Sequence, residues 1–315
     1  MLSISTFVLA MIPLYIMAII GFTARKLRVF SEHANQVITQ LMLYITLPAL
    51  ILFSLQTTFS IELLIDFIWL FIMSIFVLSV SVLIATILRK KAALPVKQKS
   101  VFESLIIFGN QGFIGFAVIY ILMAEQGIIY LSIFNICYLI LIWTYGIYLF
   151  TRHDQNINWR VLFFNPGILA TLVGVCMIFL RFSWPDMILM TFEGVGKMTI
   201  PLSMILIGSF LADIQMKDFL QYGKNVYIWI AAILKLIILP LSLLVFIFLP
   251  VPRSLIIVAM LTAAMPSAST TSVYAQKFGS DTSFASVGVM LTTILCIITI
   301  PIIYNILQWV LSYMN

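Results

Sequence analysis

AAMPSASTTSVY, Ala263 to Tyr274, is the stretch on which the reading of this chain turns. It begins inside an apolar run starting at Ile256, and Pro266 interrupts that run at roughly membrane-centre depth. Proline removes a backbone donor and crowds the carbonyl four residues back, so a helix entering at Ser254 should break or unwind near Pro266. Irregular backbone inside a bilayer is tolerated only where protein covers it or where it lines a polar cavity. The small hydroxylic residues Ser267, Ser269, Thr270, Thr271 and Ser272 suit such a cavity. A second stretch, FGNQGFIGFA from Phe108 to Ala117, interrupts another apolar segment with Gly109, Gly112 and Gly115 and places Asn110 and Gln111 at the break. Two interrupted segments at corresponding positions in two halves of a membrane chain are the best sequence pointer to a transport site.

The composition makes the membrane reading compulsory. Of 315 residues, 63% are hydrophobic and only 9% charged, with a mean hydropathy of +1.16, which excludes a soluble globule of ordinary composition. About 20 apolar residues cross the roughly 30 Å of hydrocarbon. The chain divides into ten such segments, at 5–24, 36–55, 63–88, 101–123, 128–150, 162–182, 188–212, 226–249, 254–276 and 284–310. The expected fold is therefore all-α and integral to the membrane. Trp69 between Phe67 and Phe71 reads as ordinary lipid-facing or packing surface.

Charge sets the orientation. No positive residue precedes the first segment, whereas Arg25, Lys26 and Arg28 follow it, the reverse of a secretory signal. The other connectors assigned inside hold Arg89, Lys90, Lys91, Lys97, Lys99, Arg152, Arg160, Lys217, Lys224 and Lys277, against Arg181 and Arg253 outside. The excess of basic residues on one side predicts both termini outside the cell membrane. The net charge of +6 thus reflects topology, with no nucleic-acid footprint in it.

An internal echo runs through the chain. Pro13 and Pro166 open the first and sixth segments, Pro48 and Pro201 sit in the second and seventh, and Gly127 and Gly279 close the fourth and ninth, each pair 152 or 153 residues apart. Each half, 1–160 and 161–315, holds five crossings, an odd number, so the second half is inserted upside down relative to the first. That predicts an inverted repeat whose broken fourth and ninth helices run in opposite senses and cross. Half-helix N-termini would then bring unpaired amides and positive dipole ends to the midplane, an arrangement that favours an anion.

Neither break carries a carboxylate: Ser104–Ala124 and Ser254–Gln276 contain no Asp or Glu. Lys235 lies about ten residues into the eighth segment, roughly 15 Å deep. A buried ammonium costs about 3 kcal/mol or more there. It serves either as counter-charge to an anionic substrate or as structure, bonded to carbonyls exposed by Pro240 or to a neighbouring helix. Asn135, deep in the fifth segment, is either a helix-to-helix hydrogen bonder or a site ligand. Glu193 and Lys197 are spaced for a local ion pair. Asp66 and Glu103 lie close to segment ends, where exposure is expected, and His33 and His153 sit in connectors. Cys137, Cys176 and Cys296 are scattered in helices without C-x-x-C spacing and read as packing residues. Metalloprotease, nucleophile-elbow and phosphate-loop motifs are all absent, and the glycines of 109–115 lack the strand that a dinucleotide site needs. No enzyme activity and no cofactor is expected.

These motifs carry a resemblance. GNQGFIGFA at 109–117 resembles the N-x-G-F-I-G-x-P element in the fourth helix of the auxin efflux carrier family, whose bacterial members include malate and malonate permeases. AAMPSAS at 263–269, YAQKFGSD at 274–281 and ASVGVMLTTILCIITIP resemble its ninth and tenth helices; LPAL at 47–50 and IPLSMILIGSFL at 200–211 resemble its second and seventh. Ala117 stands where the first crossover usually has proline, which leaves that break to glycine and polar residues. The resemblance implies a scaffold of helices 1, 2, 6 and 7, a transport unit of helices 3–5 and 8–10, a homodimer formed through the scaffolds, and a carboxylate held at the crossover. By motif position Asn110, Gln111 and Gly112 belong to the first side of that site and Pro266, Ser267 and Ser269 to the second. The expected function is a permease for a small organic anion such as malate. Its rivals are an anion channel of the same architecture and a cation-coupled transporter of a different solute.

Overall fold

The computed structural model describes residues 4–57, 60–152, 166–213 and 216–313. His153, Arg160 and the expected start of the sixth segment at 162 lie outside them. Among the described residues all regular structure is helical: α1 (Ile4–Lys26), α2 (Glu32–Ser54), α3 (Ile61–Lys91), α4 (Val96–Ile107), α5 (Gln111–Thr151), α6 (Pro166–Leu180), α7 (Asp186–Ala212), α8 (Met216–Tyr222), α9 (Val226–Phe248), α10 (Arg253–Ala263), α11 (Thr270–Lys277) and α12 (Thr282–Tyr313). Seven of these, α1, α2, α3, α5, α7, α9 and α12, are long and apolar enough to cross a membrane; α6 and α10 are apolar but shorter.

Local chemistry explains where the helices start and bend. Ser31 caps α2 by accepting the Ala34 N–H, and Asn225 caps α9 by accepting the Tyr227 N–H, each satisfying an amide that the helix itself cannot. Before Pro48 the backbone widens into a π turn at Met42–Thr46, and before Pro240 into another at Leu234–Ile238; the missing proline amide and its crowded ring favour such relaxation. α5 bends at Ala124, whose φ of 46° and ψ of −135° are not helical. The bend lies in the gap expected between 123 and 128, at Ala124 rather than at Gly127. A methyl on Gly127 would lie 2.8 Å from the Ile119 carbonyl oxygen, so that glycine serves a close backbone approach just past the bend. Gly279, with φ of +69°, does end α11. The Ser280 N–H reaches back to the Ala275 carbonyl, the closure that a left-handed residue after a helix allows.

The chain forms two compact units, one of Met1–Ile68, Gly112–Ile136 and Phe163–Asp213, the other of Trp69–Gln111, Cys137–Leu162 and Ile214–Asn315. In the first, α1 packs on α7 at backbone contact. A side chain on Gly21 would strike the Ile205 carbonyl, and one on Gly208 the Ala18 carbonyl, which is the small-residue packing expected of helices that lipid cannot drive together. The buried Asn35 accepts from Ser209, and Thr199 donates to Thr46, so buried polar atoms are paired across helices. Glu193 and Lys197 form their ion pair on the exposed face of α7.

In the second unit Glu103 is wholly buried, against the expectation of exposure. Arg89 Nε lies 2.8 Å from its carboxylate and Arg152 Nη1 3.4 Å, while Thr86 and Tyr145 donate hydroxyls to it. The Arg89 contact satisfies charge without the alignment of a hydrogen bond, since its Nε has no directed partner. A carboxylate survives burial when charge and hydrogen bonds are supplied together. That supply comes from α3 and α5, out of sight of the local sequence. Asp66, in the first unit, is half-buried and accepts a hydrogen bond from Tyr130.

Candidate functional site

Helix α4 stops at Ile107 because Phe108 turns extended, with φ −95° and ψ 121°, and glycine follows it. Helix α10 stops at Ala263, two residues short of the proline-driven break. The two freed stretches then pair with each other. Gly109 and Ser267 form an isolated antiparallel bridge, in which the Asn110 N–H donates to the Pro266 carbonyl at 2.6 Å and the Ala268 N–H to the Phe108 carbonyl at 2.9 Å. Further bonds complete the junction. The Ser267 N–H donates to Thr292 Oγ1 at 3.1 Å and Ser267 Oγ to the Leu105 carbonyl at 2.7 Å. Tyr138 Oη donates to the Gly109 carbonyl, and Ser104 and Thr271 share a hydroxyl–hydroxyl bond at 2.9 Å.

This corrects one expectation. The amides of Asn110, Gln111, Ser267 and Ala268 are occupied inside the protein and are not waiting for a solute. The reason is energetic: a peptide group in a water-poor interior costs several times more unpaired than paired, so each break uses the other as its partner.

What the junction leaves open lies in side chains. Lys235 projects from the π turn before Pro240 and is only 3% exposed. A methyl built on Gly109 would come within 2.9 Å of its Nζ and 3.0 Å of its Cε; the ammonium therefore occupies the space that the missing side chain vacates. Among the described residues no carboxylate lies within ion-pair distance of it. Gln111, 3% exposed, keeps its Oε1 without a partner, as Thr270 keeps its Oγ1 and Tyr274 its Oη. The structure thus brings together Asn110, Gln111, Pro266, Ser267 and Lys235, all in the second unit. Ser269 is half-buried at the N-terminus of α11. Gly112 and Asn135 fall in the first unit. A side chain on Gly112 would meet nothing within 4 Å, and Asn135 is 4% exposed with its Oδ1 unpartnered.

Sequence reasoning missed Tyr138, Thr292 and Ser104, which tie the junction together; Thr271, expected at the cavity, is the partner of Ser104. Thr292 and Thr293 interrupt the apolar run of α12 with adjacent hydroxyls, a visible signal whose direction only the packing shows.

A family model described as membrane transport protein matches residues 6–304. The chain belongs to that family. It is the family to which the motif resemblance pointed, and the match spans nearly the whole sequence, both breaks included. No curated protein matches the chain. As a member of the membrane transport protein family, it carries at its paired breaks the buried Lys235 and the unpartnered oxygens of Gln111, Thr270 and Tyr274, on two stretches whose sequence holds no Asp or Glu.

Proposed function

We propose that this membrane transport protein is a secondary carrier that moves a small organic anion, a carboxylate such as malate, across the cytoplasmic membrane. The observation that carries the proposal is the Lys235 ammonium, buried against Gly109 at the paired breaks without a carboxylate partner among the described residues. A desolvated, unneutralised cation there gains most from an anionic solute. The carboxylate would take the Lys235 charge and hydrogen bonds from the side chains of Asn110 and Gln111. The junction's own amides would hold the site rigid.

In this reading α5 is two crossings joined at Ala124, and α4 with the start of α5, like α10 with α11, is one broken crossing. That gives ten, arranged as inverted halves 1–160 and 161–315 with helices 4 and 9 crossing and both termini outside. The unit that holds α1, α2, α6 and α7 also holds 112–136 of α5 and the start of α3; in this reading the four helices are the scaffold and form the homodimer, while the transport unit of helices 3–5 and 8–10 alternates the site between the two sides. Labelled malate uptake into vesicles tests the proposal. Asn110→Ala and Pro266→Ala should each abolish uptake while the protein still inserts, and undiminished transport by both would remove the paired breaks from the mechanism.

A further inference from the structure

The first unit contains a cavity of about 400 Å³ where four helix ends meet: the end of α2, the start of α3, the Ala124 bend of α5 and the start of α7. Ser54, Gln56, Thr57, Glu125, Gln126 and Tyr130 form its polar wall, and four apolar side chains form the remainder. Its charge is mainly negative: Lys197, whose ammonium lies 5.8 Å from the centre of the Phe53 ring and within electrostatic range of Glu125, is itself paired with Glu193. Glu125 is the single acidic side chain of the wall, and Tyr130, which takes a hydrogen bond from Gln126 at 2.9 Å, passes one on to Asp66 Oδ2 at 3.0 Å. Among the described residues neither Glu125 nor Asp66 has a cation within ion-pair distance. Ser54 is 3% exposed, and its Oγ has no hydrogen-bond partner.

With Lys197 engaged by Glu193, the balance of charge disfavours a second seat for the anion. A bare metal ion is a poor occupant too: the volume lies within the range of small-molecule pockets, about 300–1,000 Å³, and among the described residues no three His, Cys, Asp or Glu side chains gather as metal ligands. We infer that this cavity is a binding site for a small organic cation, an ammonium group on a short apolar body. The ammonium donates to the Glu125 carboxylate and to Ser54 Oγ, with Asp66 adding charge from behind Tyr130, and the apolar side chains cover the carbon tail. The site stands apart from the cargo proposed above and does not depend on it.

The test uses the purified full chain in detergent, with n-butylammonium chloride as probe and sodium chloride at equal concentration as reference. Butylammonium should raise the melting midpoint saturably and sodium should not, since a ligand stabilises the folded state by mass action. Glu125→Gln should weaken the midpoint-derived affinity about tenfold or more, the scale of a lost charge-assisted contact, and Ser54→Ala should weaken it by a smaller factor. An equal rise with sodium, no saturable rise, or an unchanged response in Glu125→Gln overturns the inference. Malate is titrated separately: a butylammonium response without a malate response supports this site while counting against the carboxylate reading.

Discussion

The two breaks reach one backbone pairing by opposite means. At the first, Gly109 makes room: it carries no side chain, its carbonyl takes the Tyr138 hydroxyl, and the space beside it is filled by the Lys235 ammonium. At the second, Pro266 forces the interruption and Ser267 anchors it, with its amide on Thr292 and its hydroxyl on the Leu105 carbonyl. Two residues past the bridge on the first side, Gln111 keeps an unpartnered side-chain oxygen, whereas Ser267 has both its amide and its hydroxyl engaged. One side of the junction is therefore built to offer groups and the other to hold still. In a bilayer both are needed, because a site that exposed all its freed backbone would be too costly to fold.

That difference can be broken by mutation. The largest effect is expected at the first glycine. Gly109→Val places branched carbon where Lys235 Nζ and Cε sit, and malate uptake should fall to background, while Gly112→Ala, built into open space, should transport nearly as wild type. Equal loss in both would mean that displacement of Lys235 is not what matters. Next comes the charge itself. Lys235→Gln should raise the half-saturating malate concentration roughly ten- to a hundredfold, the scale of a lost charge-assisted hydrogen bond, with insertion and melting midpoint preserved. The smallest effects separate holding from offering. Ser267→Ala should lower stability by about 1 kcal/mol through its lost bond to Leu105, seen as a lower melting midpoint with affinity retained in the folded fraction. Gln111→Ala should leave the midpoint unchanged, since its Oε1 has no partner to lose, and weaken malate binding through the lost Nε2 donor.

Much of this junction was legible in the residues. Pro266 and the glycines of 109–115 mark the breaks through their backbone chemistry alone, and the depth of Lys235 follows from counting residues at helical rise. Less legible was how the freed groups would be spent. Glu103 shows the same limit: near a segment end it reads as exposed, yet Arg89, Arg152, Thr86 and Tyr145 enclose it. Those partners come from 14 to 49 positions away along the chain, and no local pattern records them. The bend falls in the gap expected between 123 and 128, but at Ala124 and not at Gly127, since that glycine serves contact with Ile119.

The sequence by itself determined that the chain is helical and lies in a membrane, where two of its apolar runs are interrupted and that no acid sits at either interruption, because hydropathy, proline and glycine act through backbone chemistry within a few residues. Only the tertiary structure decided that the interruptions satisfy each other's peptide groups, that Lys235 fills the space left by Gly109, and that Glu125 and Ser54 share a cavity at the helix ends. Those are pairings between distant segments, fixed by the need to match every buried polar group, and a linear order of residues does not state which matches are made.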